Sequence, residues 1–268
     1  KARGPLSSRP IEDIIARIRS LAAEGVAEVQ LAAQDTAAYG LDIGASLAGL
    51  LDNAAQVPGR FRLRVGMMNP NNILPQQEEL IRAFRSPKIY KFLHIPVQSG
   101  SDDILQSMGR DYKVQEFLGI AQAFRECFED ITIVTDIIAG FPGETEEDFI
   151  SSARLLDRLQ PDKVNVTRYS RRPGTGAAEM YDMPDRIKKD RSRILTEMWL
   201  RIAAERNRRY LGRVLPCVVV EEGRCGTMKG RTANYLGVVI EEKVPLGSSQ
   251  MIEINSCNSF YLSGRPVY

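Results

Sequence analysis

Apolar residues alternate between helical and strand spacing along the first 210 residues. Ile11, Ile14 and Ile18 lie on one helical face and predict a first helix that ends at Gly25. The run from 26 to 33 then predicts a strand. The same alternation recurs, with predicted helix and strand pairs at 46–55 and 62–68, 78–84 and 92–98, 114–128 and 131–139, and 146–159 and 164–169. This rhythm indicates a parallel sheet with crossover helices, as a barrel or as an open wound sheet.

The repeat opens on a helix, although in a strand–helix repeat that helix should follow a strand. Residues 1–9 look like the end of a loop. Either the fold begins with a helix, or its first strand lies outside this chain. We expect the second, so the predicted fold class is α/β, with an incomplete (β/α) barrel of parallel strands over residues 1–210 that lacks its first strand.

From about residue 211 the apolar spacing changes from helical to alternating. Short strands are predicted at 214–220, 238–242, 251–255 and 260–262, with turn residues between them. Short strands at this spacing indicate a small antiparallel β-barrel, here over residues 211–268. A long helix at about 184–210 joins the two regions.

Composition excludes two broad classes of protein. The chain is 43% hydrophobic, which is too apolar for a disordered protein. Its longest plain apolar stretch, 214–220, is far shorter than the roughly 20 residues that a membrane-spanning helix needs. We therefore expect a cytoplasmic protein with no membrane partner.

Histidine and cysteine usage narrows the chemistry. His94 is the single histidine, which argues against a serine–histidine–aspartate triad or a multi-histidine zinc site. The four cysteines are scattered and form no compact thiolate motif. We assign no metal ligand in this chain, and the ligands of any metal cluster would lie outside it.

Charge is unevenly distributed although the net charge is only +2. Residues 1–185 carry a net charge of −5, residues 186–210 of +6 and residues 211–268 of +1. A basic helix beside a small β-barrel is a plausible footprint for a polyanion, or else simply a solvated helix end. Arg168, Arg171 and Arg172 add positive charge after the last predicted barrel strand.

Polar residues at the carboxyl ends of parallel strands are candidates for a binding site. Asp136 lies late in an apolar strand, where a buried carboxylate needs ligand hydroxyls or a structural arginine as its partner. Gln98 ends another strand, and Arg110 is placed to clamp a carboxylate. His94, in mid-strand, is more typical of a satisfied core histidine than of a catalytic one.

Three other places are weaker candidates. The loop that begins at Gly140 has glycines that allow close backbone approach to a flat or phosphate-bearing ligand. Gln34 and Asn69 each follow a predicted strand, but turns favour such residues in any case.

Several motifs together resemble one family. Four segments are similar to segments of radical S-adenosylmethionine (SAM) methylthiotransferases. They are Leu93-His-Ile-Pro-Val-Gln-Ser-Gly-Ser101, Met108-Gly-Arg-Asp-Tyr112, Thr135-Asp-Ile-Ile-Ala-Gly-Phe-Pro-Gly-Glu-Thr145 and Tyr169-Ser-Arg-Arg-Pro-Gly-Thr175. The segments Gly230–Tyr235 and Leu262–Gly264 resemble the TRAM domain, an OB-like barrel, that those enzymes carry. The segment Ala33–Gly44 is most similar to the archaeal and eukaryotic tRNA branch.

The resemblance implies a barrel that holds SAM on a [4Fe-4S] cluster bound by a Cys-x3-Cys-x2-Cys loop. This sequence has no such loop, so the resemblance implies an N-terminally truncated member, itself inactive, whose cluster ligands lie outside the chain. By the same resemblance Gln98, Arg110 and Asp136 match SAM-binding positions. Further cofactor-binding candidates are Ser99, Gln34, Asn69 and Gly140.

The resemblance also implies RNA contacts. The candidates are Arg224, Lys229, Arg231, Thr232, Asn234, Tyr235, Arg171 and Arg172. Tyr235 could stack on a base, or instead serve as a turn or barrel-core residue.

The function implied for the parent enzyme is methylthiolation of N6-threonylcarbamoyladenosine next to the tRNA anticodon. The alternatives are methylthiolation of isopentenyladenosine tRNA or of a ribosomal protein. From other classes, an RNA-binding module without catalysis and a barrel enzyme that binds a phosphorylated metabolite also stay open.

Overall fold

The computed structural model describes residues 4–267. Its first part alternates helices with parallel strands. The elements are α1 (Ile11–Ala23), β1 (Glu28–Leu31), α2 (Leu47–Gln56), β2 (Arg62–Val65), α3 (Pro70–Ile73), α4 (Gln77–Phe84), β3 (Phe92–His94), α5 (Asp102–Ser107), α6 (Val114–Cys127), β4 (Thr132–Ala139), α7 (Glu146–Leu159), β5 (Lys163–Arg168) and α8 (Asp185–Arg208). Short 3₁₀ turns lie at Thr36–Ala38, Leu74–Gln76 and Gly176–Ala178.

The five strands lie side by side in chain order, all parallel. β1 pairs with β2, and β3, β4 and β5 form a second ladder. A bridge between Leu63 and Ile89 joins the two ladders, and the amide of Met68 donates to the carbonyl of His94 at 2.9 Å. Within the described residues this sheet is open, which confirms the predicted partial α/β barrel. That a further strand precedes β1 stays a prediction.

The two faces of this sheet have different chemistry because side chains alternate along each strand. Leu63, Leu93 and Ile133 point into the helix-covered core. In a parallel ladder, paired residues point to the same side, so Asp136 and Asn165 stand next to each other on the opposite, polar face. The sheet therefore presents polar side chains to the hollow that its curvature encloses.

The strand predicted at 92–98 is interrupted. β3 ends at His94, because Pro96 has no N–H to donate to the ladder. Pairing resumes at Gln98, whose amide donates to the carbonyl of Asp136 at 2.8 Å. Gln98 has a φ of 71°, in the left-handed region that non-glycine residues rarely occupy.

The second part is a closed five-stranded barrel. Its strands are β6 (Val214–Glu222), β7 (Met228–Thr232), β8 (Gly237–Ile240), β9 (Ser249–Cys257) and β10 (Leu262–Pro266), in the order β10-β8-β7-β6-β9. The small barrel predicted from the sequence is present, but it is not antiparallel throughout, since β8 and β10 pair in parallel. β7 is not among the predicted strands, because its run Met-Lys-Gly-Arg-Thr has little apolar character.

Some basic side chains of helix α8 are buried in ion pairs and not exposed to solvent. Lys188 and Arg191 are buried; Lys188 pairs with Asp182, and Arg191 pairs with Glu144 at 2.6 Å. Arg206 pairs with the buried Asp162 at 2.8 Å. Neither of the two interpretations of this basic helix allowed for these internal ion pairs. Among the described helices, none is both long and apolar enough to cross a bilayer.

Candidate functional site

A cavity of about 1140 Å³ lies at the carboxyl ends of β4 and β5. Gln98, Arg110 and Asp136 all line it, although they come from different elements. The rest of its wall includes Met108, Ile138, Phe141, Asn165, Thr167, Arg168, Tyr169, Arg172 and Met180. The structure thus brings the three main candidates from the sequence into one hollow.

Asp136 is oriented by two neighbouring strands. One of its carboxylate oxygens lies 3.1 Å from Nε2 of His94 and accepts a hydrogen bond from Nδ2 of Asn165 at 2.6 Å. Burial alone would raise the pKa of Asp136, but the hydrogen bonds from His94 and Asn165 outweigh it and lower the pKa below the ordinary value. Within the chain, the partners of Asp136 are therefore His94 and Asn165 and not a structural arginine. His94 is satisfied, as the sequence favoured, and the ligand contact of Asp136 stays a prediction.

Gln98 occupies a constrained point on the cavity wall. Its amide donates to the carbonyl of Asp136, and its carbonyl accepts from the amide of Ile138 at 2.9 Å. These two bonds hold the left-handed backbone in place. Strained backbone that the surrounding structure holds in place is found at ligand sites more often than elsewhere.

Arg110 follows α5, whose first turn is capped by the Ser101 hydroxyl. The Nε atom of Arg110 is buried and has no hydrogen-bond partner among the described residues. A buried guanidinium donor without a partner is costly, so it is available to an anionic group in the cavity.

Asn165 is not among the site residues predicted from the sequence. Its strand position was predicted, but only the register between β4 and β5 shows that it faces Asp136. Of the two loop arginines, Arg172 lines the cavity, whereas the exposed Arg171 donates to the carbonyl of Met180 at 3.2 Å.

Three of the weaker cofactor candidates lie outside this cavity. Ser99 is fully buried, and its hydroxyl accepts from the amide of Ser101. Gln34 is exposed, after β1. Asn69 caps α3, and its amide donates to Asp35 at 3.0 Å. The structure does not bring these three into the cavity, so their role as cofactor contacts stays a prediction.

Gly140 has to be a glycine because a side chain at this position would collide with another part of the chain. Its φ is 73°, and a Cβ there would lie 2.3 Å from Cγ of Lys188. Its amide donates to the Glu144 carboxylate at 2.9 Å. The structure shows that the close approach at this glycine is to α8, and the predicted ligand contact stays a prediction.

Thr232 and Asn234 serve the junction between the two parts of the chain. Thr232 is 2% exposed and Asn234 is 5% exposed. The Thr232 hydroxyl donates to Asn234 at 2.5 Å, and Nδ2 of Asn234 donates to the carbonyl of Asp130 and to the Tyr210 hydroxyl. Both side chains are buried and satisfied at this junction, so their burial gives no support to the predicted RNA contacts.

Tyr235 joins an aromatic cluster at the same junction. Its ring meets Tyr90 edge-on at 4.8 Å and Phe92 at 5.0 Å. Its hydroxyl donates to Glu28 at 3.2 Å. This arrangement favours the packing interpretation of Tyr235 over base stacking.

The remaining basic candidates differ in exposure. Arg224 is exposed, and Lys229 is exposed but paired with Glu221 at 2.8 Å. Arg231 lines a second cavity between the two parts of the chain. No group of three or more histidine, cysteine, aspartate or glutamate side chains in residues 4–267 is arranged to hold a metal ion.

Parallel strands, covering helices and a polar cavity at the strand ends define an α/β half-barrel with its binding site at the usual edge. The chain belongs to the radical SAM superfamily, whose sequence profile matches residues 1–156. Solved structures agree on the fold. A radical SAM methyltransferase, TsrM, from Kitasatospora setae superposes with a TM-score of 0.50 at 19% identity, covering 63% of this chain and 33% of that one. Coproporphyrinogen III oxidase (HemN) from Escherichia coli gives 0.50 at 17% identity, covering 70% and 45%.

Relatives with higher sequence identity share one enzyme name. "Probable threonylcarbamoyladenosine tRNA methylthiotransferase" of Pyrococcus abyssi is 47% identical over 266 residues, which are 98% of this chain and 62% of that protein. The Archaeoglobus fulgidus protein of that name is 45% identical, covering 98% and 62%. Threonylcarbamoyladenosine tRNA methylthiotransferase of Homo sapiens is 36% identical, covering 99% and 46%. The chain thus spans 62% of the length of these archaeal relatives and less of the human one.

Proposed function

We propose that this chain is part of a radical SAM methylthiotransferase that modifies N6-threonylcarbamoyladenosine in tRNA, beside the anticodon. The observation that carries the proposal is the convergence of Gln98, Arg110 and Asp136 on one cavity. The shared name of relatives at 36–47% identity supports the substrate. It also favours this substrate over isopentenyladenosine and over a ribosomal protein.

The cavity residues fit SAM chemically. The unpartnered Nε of Arg110 suits the methionyl carboxylate, and the lowered pKa of Asp136 keeps its carboxylate ionised to accept from ribose hydroxyls or the amino group. Gln98 offers both a donor and an acceptor. When bound at an iron–sulfur cluster, SAM supplies the carbon radical that removes a hydrogen atom from the substrate. The role of the residues named here is to bind and orient the cofactor.

The cluster itself needs ligands that the four cysteines do not supply at the right spacing. We propose that a [4Fe-4S] cluster is held by residues outside these 268, in the part of the longer relatives that this chain does not match. The chain alone would then bind SAM without cleaving it.

For the second part of the chain, we propose a TRAM-type, OB-like domain over residues 211–268, after a radical SAM domain over residues 1–210. Five strands closed into a barrel, with one parallel pair between the third and the fifth, support this interpretation. In OB folds, the first loop and the face of the second and third strands bind oligonucleotides. Arg224 lies in the corresponding loop, and Lys229 lies on the second strand, β7. We propose that both residues contact tRNA. We also propose that the protein acts in the cytoplasm.

The activity is tested on the full-length gene product, reconstituted anaerobically with iron and sulfide. We expect SAM cleavage and, in nucleoside mass spectra, the methylthio form of N6-threonylcarbamoyladenosine in tRNA. Modification of isopentenyladenosine instead would refute the proposed substrate. tRNA binding without SAM cleavage would favour an RNA-binding module.

The cofactor site is tested on the 268-residue chain by calorimetric titration with SAM. Arg110→Gln and Asp136→Asn should each weaken binding about 10-fold, because each removes a charged hydrogen-bonding group. Arg171→Gln, the same change at an exposed arginine outside the cavity, should leave SAM affinity unchanged. Equal loss in all three variants would argue against the site.

RNA binding is tested by the salt dependence of tRNA affinity. Arg224→Gln and Lys229→Gln should each reduce the slope of log affinity against log salt by about one, because each phosphate contact releases about one counterion. Arg193→Gln, the same change at an exposed arginine of α8 that pairs with Glu197, serves as the control. Unchanged slopes in the first two variants would remove these residues from the interface.

A further inference from the structure

A second cavity, of about 400 Å³, lies between the half-barrel and the small barrel. We call it the junction cavity. Strands β2 to β5 contribute Arg64, Phe92, Thr132 and Lys163, and the small barrel contributes Arg231. Asn165 lines this cavity and the larger one, while His94 faces the junction side. The bonded group of His94, Asp136 and Asn165 therefore stands between the two hollows.

Two arginines in the junction cavity have no ion-pair partner among the described residues. The Nε atoms of Arg64 and Arg231 are buried and form no hydrogen bond within the described chain. Neither guanidinium forms an ion pair with a described residue. Both lie near the ring of Tyr235, with guanidinium carbons 5.5 Å and 4.8 Å from its centroid. Two unpaired guanidinium groups at one hollow favour an anion that both can contact.

Asp162 is the one carboxylate that the described residues place in the wall of the junction cavity, and it does not neutralise these arginines. Asp162 is buried and already accepts from Arg206 and from the amide of Ile133. Lys163 adds a further positive charge. The junction cavity therefore has a net positive lining.

Thr132 supplies an independent sign of a ligand. It is 4% exposed and lines the junction cavity, and its hydroxyl oxygen is buried with no hydrogen-bond partner in the described chain. Buried hydroxyl groups are almost always satisfied, so this one calls for a polar group inside the cavity.

The volume and the aromatic lining indicate more than a simple anion. About 400 Å³ exceeds the size of a phosphate group and lies in the range of small-molecule sites. Phe92, Trp199, Tyr235 and Phe260 line the cavity, and Phe260 is 67% exposed at its rim. Aromatic side chains beside arginines are the usual setting for a nucleobase with its phosphate.

We propose that the junction cavity binds a nucleotide, with the phosphate on the guanidinium groups of Arg64 and Arg231 and the base against Trp199 and Phe260. The nucleotide is either free or part of an RNA strand, since both present the same chemistry. The proposal does not depend on the activity proposed above, because it concerns a different cavity.

Binding is measured by calorimetry on the 268-residue chain with AMP, adenosine and inorganic phosphate. We expect saturable binding of AMP that is about 10-fold tighter than that of either fragment, because phosphate and base are both recognised. Arg64→Gln and Arg231→Gln should each weaken AMP binding about 10-fold. Equal affinity for AMP and phosphate, or no saturable AMP binding, would overturn the proposal.

Arg110→Gln is the matched control, since it makes the same change in the larger cavity. It should leave AMP binding at the junction intact. Loss of AMP binding in Arg110→Gln, with none in the two junction variants, would assign the nucleotide to the larger cavity and refute the proposal.

Two further measurements do not require that the arginine variants fold. Thr132→Val keeps the shape of the side chain and removes the hydroxyl, so it should weaken AMP binding without lowering thermal stability. Photocrosslinking with 8-azido-AMP, followed by peptide mass spectrometry, should label the segments around Trp199 or Tyr235. Labelling confined to 98–110 and 165–176 would contradict the proposal. A short oligoribonucleotide that displaces AMP identifies RNA as the source of the nucleotide, and failure to displace identifies a free nucleotide.

Discussion

His94 Nε2 lies 3.1 Å from a carboxylate oxygen of Asp136, and this contact crosses between two neighbouring parallel strands. Asn165, on the next strand, donates to the same oxygen. Asp136 is thus held from both sides while it lines the larger cavity. The carboxylate is positioned before any ligand binds, which lowers the cost of ordering it on binding.

The first prediction concerns the pH dependence of stability. Because the pKa of Asp136 is lower in the folded chain than in the unfolded one, its contribution is complete above its ordinary pKa of about 3.9 and is lost as pH falls through the lower, folded value. We expect the wild-type chain to lose more free energy of unfolding between about pH 5 and pH 3 than Asp136→Asn does. Urea denaturation at the two pH values measures this. Equal losses in both proteins would contradict it.

The second prediction concerns the buried ion pair between Arg191 and Glu144. Burial raises the pKa of Glu144 although Arg191 opposes the shift. Arg191→Met should lower the free energy of unfolding by about 3 kcal/mol, because it leaves a buried carboxylate without its cation. Urea denaturation at neutral pH measures the loss.

Two further variants test that ion pair. Arg193→Met, on the same helix in an exposed pair with Glu197, should cost less than about 1 kcal/mol. Adding Glu144→Gln to Arg191→Met should restore part of the stability. Similar costs for Arg191→Met and Arg193→Met would refute the assignment.

The third prediction compares two glycines with left-handed backbone. Gly140 and Gly143 have φ values of 73° and 86°. A Cβ at Gly140 would meet Cγ of Lys188, whereas one at Gly143 would approach only the flexible end of Met180, at 3.4 Å. Gly140→Ala should therefore destabilise the chain by about 2 kcal/mol more than Gly143→Ala, and thermal denaturation of both variants checks this. A smaller cost at Gly140 would show that Lys188 moves aside freely.

The fourth prediction separates packing from RNA stacking at Tyr235. Tyr235→Ala should cost about 2 kcal/mol of unfolding free energy, because the ring packs against Tyr90 and Phe92. Tyr235→Phe keeps the ring and loses only the hydroxyl contacts, at a cost of about 1 kcal/mol. Chemical denaturation measures both. An unchanged stability in Tyr235→Ala, with weaker tRNA binding, would restore the stacking interpretation.

Much of the fold could be predicted from local patterns in the sequence. The helix predicted at 146–159 has those bounds, because the capping residue Thr145 and the helical spacing both act within one stretch of chain. Strand 92–98 was predicted too long, because apolar content outweighed the effect of Pro96 on the ladder. No strand was predicted at β7, because its place in the barrel depends on pairing with β6 and β8 and not on its own apolar residues.

The candidate binding residues also divide into those that the structure places in the cavity and those that it does not. Polar residues at strand ends are visible in a sequence, and Gln98 and Asp136 were found by that rule. Gln34 and Asn69 were chosen by the same rule but lie outside the cavity, because a strand end says nothing about which way a side chain turns. Gly140 was chosen as a loop glycine, and the side chain that approaches it belongs to Lys188, 48 residues further along the chain.

The amino-acid sequence by itself determined the alternation of helices and parallel strands, the change to a small barrel near residue 211, and the family. These follow from spacing and motifs that lie within short stretches of chain. Only the tertiary structure decided that His94 and Asn165 hold Asp136, that Tyr235 packs at the junction, and that Arg64 and Arg231 share a cavity. Those contacts join residues up to 207 positions apart, as between Glu28 and Tyr235, so strand register and the packing of the two parts against each other decide them.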